Sequence, residues 1–528
     1  MIGRYVRPPA RLRPGRFCQC LLAWWLIAFG LRLLVVFRYA ASLQVDTDLY
    51  WGIAENLIAG QGYALPGTQA PTAFRPPVYP LLLAGLQFFG GGGQALGIVQ
   101  AVLGATTAVV VGDTARRIEL GWRAQLATAI LVFDPLLLYS TALVMTETLA
   151  TFLAAVLLWL LVIATDCPAE SAVGKWPPVA SGSASGGAAA KCSPSRQRMV
   201  LLALGGTWGL CCLCRPTFWV PGGIFLLGGL VYYVCGFCRK AVGNTAEARS
   251  AQGSAGRAIA GTTIDPGQEA EKSESIAARP ATAAWGPVRT QPVRKWPGGW
   301  QPVFWSLLGL SLVVAPWGIR NALVFHTPLL TTTHGGYTLY LGHNPVYYAE
   351  VVEQPWGTQW GHDSLIGWQA DLERRMGQEL DRPRDERARD EWMYRQARRE
   401  IAASPVMAFR SGLTLVGRLW NIVPLVGSGR PTAVRVAIGV GYGVLWLLLG
   451  WGIVQGIRRP GSIPPVLWGG FCLLVGFTAV HFWYWSDLRM RAPLMPAIAL
   501  LAAWGLRWRN GDPVGNPDDR GSRRQPVT

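Results

Sequence analysis

An acidic and aromatic segment near the amino terminus contains residue types that could support acid–base chemistry. Asp46 and Asp48 precede Tyr50, and the segment Arg75 to Tyr79 follows later in the chain. A carboxylate can accept the proton of an attacking hydroxyl group, and an arginine can bind a phosphate through two parallel hydrogen bonds. Ionisable residues next to a membrane span are costly to keep near lipid, so their clustering indicates a function.

The composition predicts that these residues belong to a polytopic membrane protein. Of the 528 residues, 51% are hydrophobic and 15% are charged, and the mean hydropathy is +0.26. The net charge of +18 arises from basic residues beside apolar runs and in linkers, as the positive-inside rule describes. We therefore expect no binding of nucleic acid.

Hydropathy and charge together predict an all-α fold with about ten transmembrane helices in the inner (plasma) membrane. The apolar runs lie at 18–38, 94–113, 123–141, 148–165, 199–214, 217–237, 302–319, 434–456, 463–483 and 491–506. Arginines precede the first run, which lacks a convincing cleavage site, so we expect a retained signal-anchor with a cytoplasmic amino terminus. An even number of spans then places the carboxyl terminus in the cytoplasm as well. The basic pairs that follow the spans 94–113, 217–237 and 434–456 fall on the same side.

The remaining segments are too short or too polar to cross a membrane. We expect interfacial helices at 77–89 and 406–427. The first part of the predicted division is an amino-terminal membrane module at 1–165, with a first external loop at 41–93, followed by a cytoplasmic linker at 166–198. A transmembrane pair at 199–238, a disordered cytoplasmic linker at 239–300 and a transmembrane helix at 301–319 come next. The rest consists of an extracytoplasmic segment with an interfacial helix at 320–433, carboxyl-terminal transmembrane helices at 434–506 and a cytoplasmic tail at 507–528. The linkers bury too little apolar surface to fold, whereas the external segment is expected to form a small domain.

The carboxylates of the predicted outer face each have a structural alternative. An apolar stripe predicts an interfacial helix at 49–59, which Asp48 could cap. Asp46 has no such helical role, and for it a catalytic role and a solvated-loop role are equally compatible with the sequence. Glu147 begins a span, where the helix dipole favours a carboxylate.

The arginines of the outer face point to an anion. Arg320, Arg489 and Arg491 lie on the side that the positive-inside rule disfavours, so a bound anion explains them better than topology does. Arg75 could instead snorkel to the interface. A lipid-phosphate sugar donor carries its phosphate at this depth, where arginines would stabilise the leaving group while a carboxylate takes the proton of the attacking hydroxyl.

Six longer motifs occur in order along the membrane portion of the chain. They are DTDLYWGIAENLIAGQGY at 46–63, FRPPVYPL at 74–81, LVMTETL at 143–149, PWGIRN at 316–321, GGYTLYLGHNP at 335–345 and RMRAPLMP at 489–496. Together they resemble the GT-C superfamily of membrane glycosyltransferases. The resemblance is greatest to the bacterial branch with the protein O-mannosyltransferase-like and lipid A aminoarabinose transferase families (families 39 and 83).

The resemblance implies a GT-C-type fold that transfers a sugar, with inversion, from a polyprenyl-phosphate donor to an extracytoplasmic glycan, lipid or protein acceptor. The implied catalytic residues are Asp46, Asp48 and Glu147. The implied donor-phosphate ligands are Arg75, Arg320, Arg489 and Arg491, and the implied substrate-binding residues are Tyr50, Tyr79, Asn321, Tyr337 and Asn344. No cofactor or metal ligand is assigned, and the motifs leave open whether a divalent metal assists.

Two positions depart from the family pattern. Thr47 stands where the family often has a second acidic residue, so either Asp46 or Asp48 is compatible with the catalytic role. Met490 replaces an aromatic residue of the last motif, which weakens the case for stacking on the donor.

A lipid or solute transporter with an outer anion pocket is the alternative function. A transporter should carry ionisable residues near the midplane of its spans, and Asp134 is the main example in this sequence. The concentration of polar residues on one face favours the enzyme.

Overall fold

A computed structural model describes residues 14–166, 193–229, 300–382, 385–424, 431–458 and 463–506. Within these ranges the chain is helical, and the only extended pairing is a single bridge between Ala64 and Pro71. Contacts divide the chain into two compact units, Met1–Gly222 with Arg294–Thr528, and Gly223–Val293. The described residues of the second unit, 223–229, are helical.

The helices of the amino-terminal half have the following bounds. They are α1 (Pro14–Arg38), a 3-10 helix (Ala40–Gln44), α2 (Tyr50–Ile58), α3 (Val78–Phe88), α4 (Gly93–Arg117), α5 (Arg123–Phe133), α6 (Pro135–Ser140), α7 (Glu147–Asp166), α8 (Pro194–Cys214), a 3-10 helix (Pro216–Phe218) and α9 (219–229).

The carboxyl-terminal half is also built of helices. They are α10 (Gln301–Phe325), α11 (Gly335–Gly342), a turn α12 (Pro345–Tyr347) with a π-helix (Tyr348–Val352), α13 (His362–Glu379), α14 (Glu386–Ala403), α15 (Pro405–Leu419), α16 (Thr432–Arg458), α17 (Pro465–Trp483), a 3-10 helix (Leu488–Leu494) and α18 (Met495–Gly505).

Seven helices in the described ranges are long and apolar enough to cross a membrane. They are α1, α4, α7, α8, α10, α16 and α17. The predicted all-α, polytopic membrane architecture is thereby confirmed.

The predicted spans at 123–141 and 491–506 are interrupted, and 217–237 lies partly outside the described residues. Pro135 cannot continue α5, so Asp134 takes an extended conformation and its side chain accepts a hydrogen bond from the backbone N–H of Leu137 at 2.8 Å. Pro493 lies within the 3-10 helix that precedes α18. Most of the predicted linkers, at 167–192 and 230–299, and the tail from 507 lie outside the described residues.

Helices α8 and α10 pack through glycines. A Cβ atom on Gly205 would overlap the carbonyl oxygen of Ser306, and one on Gly309 would overlap that of Leu202. Small residues let backbones approach closely where lipid supplies no hydrophobic drive for helix association.

The segment between α10 and α16 contains its own apolar core. The predicted weak helical pattern at 371–400 corresponds to two helices, α13 and α14, which pack with α11. Their buried residues are Leu339, Tyr340, Leu341, Trp368, Leu372, Met376, Trp392, Met393 and Ala397.

Candidate active site

The two aspartates of the first loop, Asp46 and Asp48, have structural roles that differ from those expected. Asp46, rather than Asp48, satisfies the start of α2, because its Oδ2 accepts a hydrogen bond from the Gly52 N–H at 3.0 Å. The other oxygen, Oδ1, is buried and has no hydrogen-bond partner. The N-cap residue is Leu49, with a positive φ of 63° and no side-chain bond. The expected cap at Asp48 is wrong because this turn aims the carboxylate of Asp46 at the helix.

Asp48 forms an ion pair with Arg75. Its Oδ1 lies 2.8 Å from Nη2 of Arg75, whose Nε also donates to the Asp48 carbonyl at 2.9 Å. The arginine side chain is 14% exposed, and its Cζ lies 5.2 Å from the ring centroid of Tyr50 and 4.7 Å from that of Phe74. Arg75 is therefore held inside the loop rather than extended to the interface.

Glu147 is fully buried at the first turn of α7 and pairs with Arg215. Its Oε1 lies 2.8 Å from Nη2 of Arg215, and Nε of the same arginine donates to Oγ1 of Thr146 at 2.7 Å. The second oxygen, Oε2, has no hydrogen-bond partner and is buried. Arg215 is not among the predicted site residues; the available signal was an arginine directly after an apolar span on the predicted outer side.

A third pair precedes α18. Asp487 accepts from the N–H of Arg489 at 2.7 Å and from its Nε at 3.0 Å, while Nη1 of Arg489 lies 3.0 Å from the sulfur of Met145. Burial acts to raise the pKa of Asp487, but the charges of Arg489 and Arg215 hold it below its ordinary value. Asp487, with smaller contributions from Glu147 and Asp48, raises the pKa of Arg489.

These three pairs lie together around two tyrosines. Burial raises the pKa of Tyr50 to about 12, although Arg75 and Arg215 act to lower it. The ring of Tyr50 lies edge-on to that of Tyr79 at 5.1 Å between centroids. Burial, together with the charge of Glu147, raises the pKa of Tyr79 well above its ordinary value, although a hydrogen bond with the backbone of Met145 acts to lower it. Separate segments of the sequence thus contribute to one cluster, here called the outer site: Asp46, Asp48, Tyr50, Arg75, Tyr79, Glu147, Arg215, Asp487 and Arg489.

Arg320 and Asn321 support the first loop instead of adding free groups to the outer site. Arg320 donates to the carbonyl oxygens of Thr72 and Tyr63, at 2.7 and 3.1 Å. Asn321 is fully buried, accepts from Arg320 and donates to the carbonyl of Leu329 at 2.8 Å. These contacts give both residues a structural role beside the predicted ligand roles.

Glu386 fastens the same loop to α14. Its carboxylate accepts from Oγ1 of Thr72 at 2.6 Å, from the N–H of Ala73 at 2.9 Å and from Oγ1 of Thr333. No local pattern indicates this contact, because Thr72 and Glu386 are 314 positions apart.

Asn344 and Tyr337 also make contacts within the external segment. The side chain of Asn344 is fully buried, caps α12 by accepting from Tyr347 N–H at 2.9 Å, and donates to the Tyr340 and Leu341 carbonyls. The Tyr337 hydroxyl accepts from Nε2 of Gln369 at 2.7 Å. Tyr337 stacks on His334, with 5.2 Å between ring centroids, and burial together with the charge of Arg75 lowers the pKa of His334 well below its ordinary value.

Arg491 points away from the outer site into a second, interior group. It is fully buried, its Cζ lies 4.1 Å from the ring centroid of Tyr442, and its Nη1 donates to the carbonyls of Leu419 and Asn421. The Tyr442 hydroxyl donates to Oδ2 of Asp134 at 3.0 Å. Its contacts place Arg491 apart from the pair formed by Arg489.

Arg32 extends this interior group within the first span. It is 1% exposed and donates to the carbonyls of Ala28 and Leu131, at 3.2 and 3.0 Å. This arginine is not among the predicted site residues, and polar groups are less restricted to one face than the sequence suggested. Among the described residues, no three His, Cys, Asp or Glu side chains come together as a metal-binding group.

Comparisons with known proteins match part of the chain by sequence. Residues 74–204 match the family described as dolichyl-phosphate-mannose-protein mannosyltransferase. This range includes Arg75, Tyr79 and Glu147 of the outer site. No curated protein sequence matches the chain.

Three solved structures resemble the chain weakly. The archaeal oligosaccharyltransferase AglB from Archaeoglobus fulgidus, in complex with an inhibitory peptide and a dolichol-phosphate, has a TM-score of 0.41 at 12% identity over 93% of this chain and 50% of AglB. ArnT from Cupriavidus metallidurans bound to undecaprenyl phosphate has a TM-score of 0.35 at 12% identity over 93% of this chain and 78% of ArnT. The apo form of the same ArnT has a TM-score of 0.33 at 13% identity over 93% of this chain and 76% of ArnT. The chain thus spans about half the length of AglB.

The family match agrees with the motifs that carried the resemblance in the sequence. Residues 74–204 thus match the dolichyl-phosphate-mannose-protein mannosyltransferase family, and this match confirms the predicted relationship to the GT-C glycosyltransferases.

Proposed function

We propose that this protein is an integral membrane glycosyltransferase that transfers a sugar from a polyprenyl-phosphate donor to an acceptor hydroxyl on the extracytoplasmic side. The observation that carries the proposal is the outer site, where three carboxylate–arginine pairs from separate segments meet: Asp48 with Arg75, Glu147 with Arg215, and Asp487 with Arg489. The family match over residues 74–204, whose description includes a lipid-phosphate sugar donor, supports it.

The proposed reaction is a displacement at the anomeric carbon. The acceptor oxygen forms a bond to this carbon as the bond to the phosphate oxygen breaks, so the configuration is inverted. The leaving electron pair goes to the polyprenyl phosphate, whose charge the arginines of the outer site would stabilise. The proton of the acceptor hydroxyl goes to a carboxylate.

Two carboxylates have an oxygen suited to that proton. Oδ1 of Asp46 and Oε2 of Glu147 are buried without a hydrogen-bond partner, while the second oxygen of each is held by Gly52 or Arg215. Asp48 is committed to Arg75 through both its carboxylate and its carbonyl. We infer that Asp46 or Glu147 is the base and that Asp48 positions Arg75.

The experiment compares amide variants of these two acids in proteoliposomes. Asp46→Asn keeps an oxygen that can accept from Gly52, and Glu147→Gln keeps one for Arg215, so both variants should fold. Release of polyprenyl phosphate from polyprenyl-phosphate mannose, with a membrane extract as acceptor, is measured by thin-layer chromatography. Loss of the base should lower kcat about 100-fold or more in at least one variant.

Glu55→Gln is the matched control, because Glu55 is an exposed carboxylate on α2 in the same loop. It should retain wild-type turnover. Full activity of both Asp46→Asn and Glu147→Gln would rule out these carboxylates as the base.

A lipid or solute transporter is the second candidate, and the interior group of Arg32, Asp134, Tyr442 and Arg491 favours it because buried ionisable residues often mark a transport path. Movement of fluorescent polyprenyl phosphate between leaflets separates the two functions. The enzyme should transfer sugar without accelerating this movement, whereas a transporter should accelerate it and lose the effect in Asp134→Asn.

A further inference from the structure

A cavity of about 270 Å³ lies between α15 and the segment that follows the π-helix. Its walls are formed by apolar side chains, including Val352, Trp356 and Leu413, and by two arginines, Arg410 and Arg418. None of the residues that line it is an Asp or a Glu. The lining of the cavity therefore combines apolar side chains with two positive charges and no carboxylate.

The contacts of α15 place this cavity near the end of a transmembrane helix. Phe409 of α15 packs on Phe482 of α17, with 5.7 Å between ring centroids. Nε1 of Trp420, directly after α15, donates to Oγ1 of Thr478 at 3.1 Å. Because α17 leads to Asp487 of the outer site, the cavity lies at the same end of the spans as that site.

An exposed apolar stripe runs along α15 beside the cavity. Val406, Phe409 and Leu413 are 71%, 57% and 54% exposed and recur at the spacing of one helical face. Trp356 at the cavity edge is 62% exposed. An amphipathic helix with such a face lies in the membrane interface, with its apolar side against the acyl chains.

The two arginines differ in exposure. Arg418 is 9% exposed, donates from Nη2 to the Thr358 carbonyl at 2.9 Å, and packs on the rings of Tyr347 and Trp485 at 5.6 and 5.7 Å. These contacts fix its guanidinium in the cavity wall. Arg410 is exposed, and its Nη1 lies 3.7 Å from the sulfur of Met407. Arginines suit a phosphate group because their planar set of donors can form two parallel hydrogen bonds to its oxygens.

We propose that this cavity binds the phosphodiester headgroup of an anionic phospholipid. The phosphate lies between Arg410 and Arg418, and the acyl chains follow the exposed stripe of Val406, Phe409 and Leu413 into the bilayer. The cavity volume suits a lipid headgroup, whose acyl chains remain outside it against the stripe, so the occupant that we propose is a bilayer phospholipid.

The test measures lipid binding by the full chain and needs no sugar transfer, so its result is independent of the proposed enzymatic function. Purified protein in a neutral detergent is titrated with phosphatidylglycerol, and bound lipid is counted by native mass spectrometry alongside the thermal midpoint. We expect phosphatidylglycerol, and not phosphatidylcholine, to bind and to raise the midpoint. Because one arginine near an anionic lipid changes affinity about fivefold, Arg410→Gln should weaken binding about fivefold and Arg410→Glu further.

Arg399→Gln, which removes an exposed arginine of α14 outside the cavity, is the matched control and should bind as the wild type does. Equal binding by Arg410→Glu and wild type would overturn the proposal. A midpoint shift of the same size with inorganic phosphate alone would show a free-anion site, and displacement of phosphatidylglycerol by equimolar polyprenyl phosphate would assign the cavity to the carrier lipid. Either result would also overturn it.

Discussion

Asp390 on α14 is a buried carboxylate that is bonded to backbone instead of to an arginine. Its Oδ1 accepts from the Gly336 N–H at 2.7 Å, and the residue is 9% exposed. Burial, reinforced by the charges of Glu386 and Glu391, raises its pKa to about 6. The folded protein therefore favours the protonated form. Protonation of Asp390 therefore stabilises the folded state relative to the unfolded chain. This stabilisation is fully present below a pH of about 4, the pKa of Asp390 in the unfolded chain, and is lost as the pH rises through about 6.

Replacing Asp390 with Asn should remove this pH dependence. Asn remains neutral and keeps an oxygen for Gly336, so at pH 7.5 the variant should be more stable than the wild type by about 2 kcal/mol, and the difference should shrink towards pH 5. Thermal midpoints in detergent at the two pH values measure this. Asp363→Asn, at an exposed position of α13, is the control. A difference in midpoint between Asp390→Asn and the wild type that is the same at both pH values would contradict the prediction.

Helices α8 and α10 form a close pair whose contact depends on the missing side chains of Gly205 and Gly309. Hydropathy predicts the two spans. Glycine is frequent throughout the chain, however, so the spacing of glycines does not show which helices pack against each other. Which glycines face a neighbouring backbone follows only from the packing. Gly443 on α16, by comparison, faces open space, and a Cβ atom added there would meet no other atom within 4 Å.

Gly309→Leu should separate α8 from α10. The leucine side chain would collide with the backbone of α8, which cannot move aside as a flexible side chain can. We therefore expect the free energy of unfolding to fall by about 1–3 kcal/mol and the yield of monodisperse protein to decrease. Gly443→Leu should behave as the wild type. Fluorescence-detected size-exclusion chromatography of the two variants compares them directly, and equal profiles would show that the pair is not closely packed in the membrane.

For the molecule as a whole, the proposed mechanism requires the outer site and the segment from α11 to α15 to lie outside the cytoplasm. Contacts of Glu386 and Arg320 with the first loop place both on one side of the spans. On the other side of the spans, the last turns of α4 and α16 carry basic residues, as expected for the cytoplasmic side. These residues are Arg116, Arg117 and Arg458.

Sided labelling tests this orientation. Asp363 on α13 and Glu119 after α4 are both exposed, so cysteines at these positions should react with a maleimide. With a membrane-impermeant reagent, Asp363→Cys should react in intact cells and Glu119→Cys only after permeabilisation. The unsubstituted protein provides the background, and the reverse pattern would place the outer site in the cytoplasm and exclude an extracytoplasmic reaction.

The membrane class, the all-helical fold, most span positions and the identity of several outer-site residues could be predicted from the amino-acid sequence. These follow from local composition, since hydropathy, proline and basic flanks act over one helix at a time. The motifs also predicted the glycosyltransferase relationship that the match over residues 74–204 confirmed.

The pairing of the polar groups, in contrast, emerges only from the packed helices. Asp46 rather than Asp48 accepts a hydrogen bond from the first turn of α2, Glu147 pairs with Arg215, and Arg491 lies with Tyr442 instead of Arg489. The physical reason is that a hydrogen bond depends on direction as well as proximity. One turn of a 3-10 helix or a left-handed residue such as Leu49 redirects a side chain, and no local pattern in the sequence shows which partner it then meets.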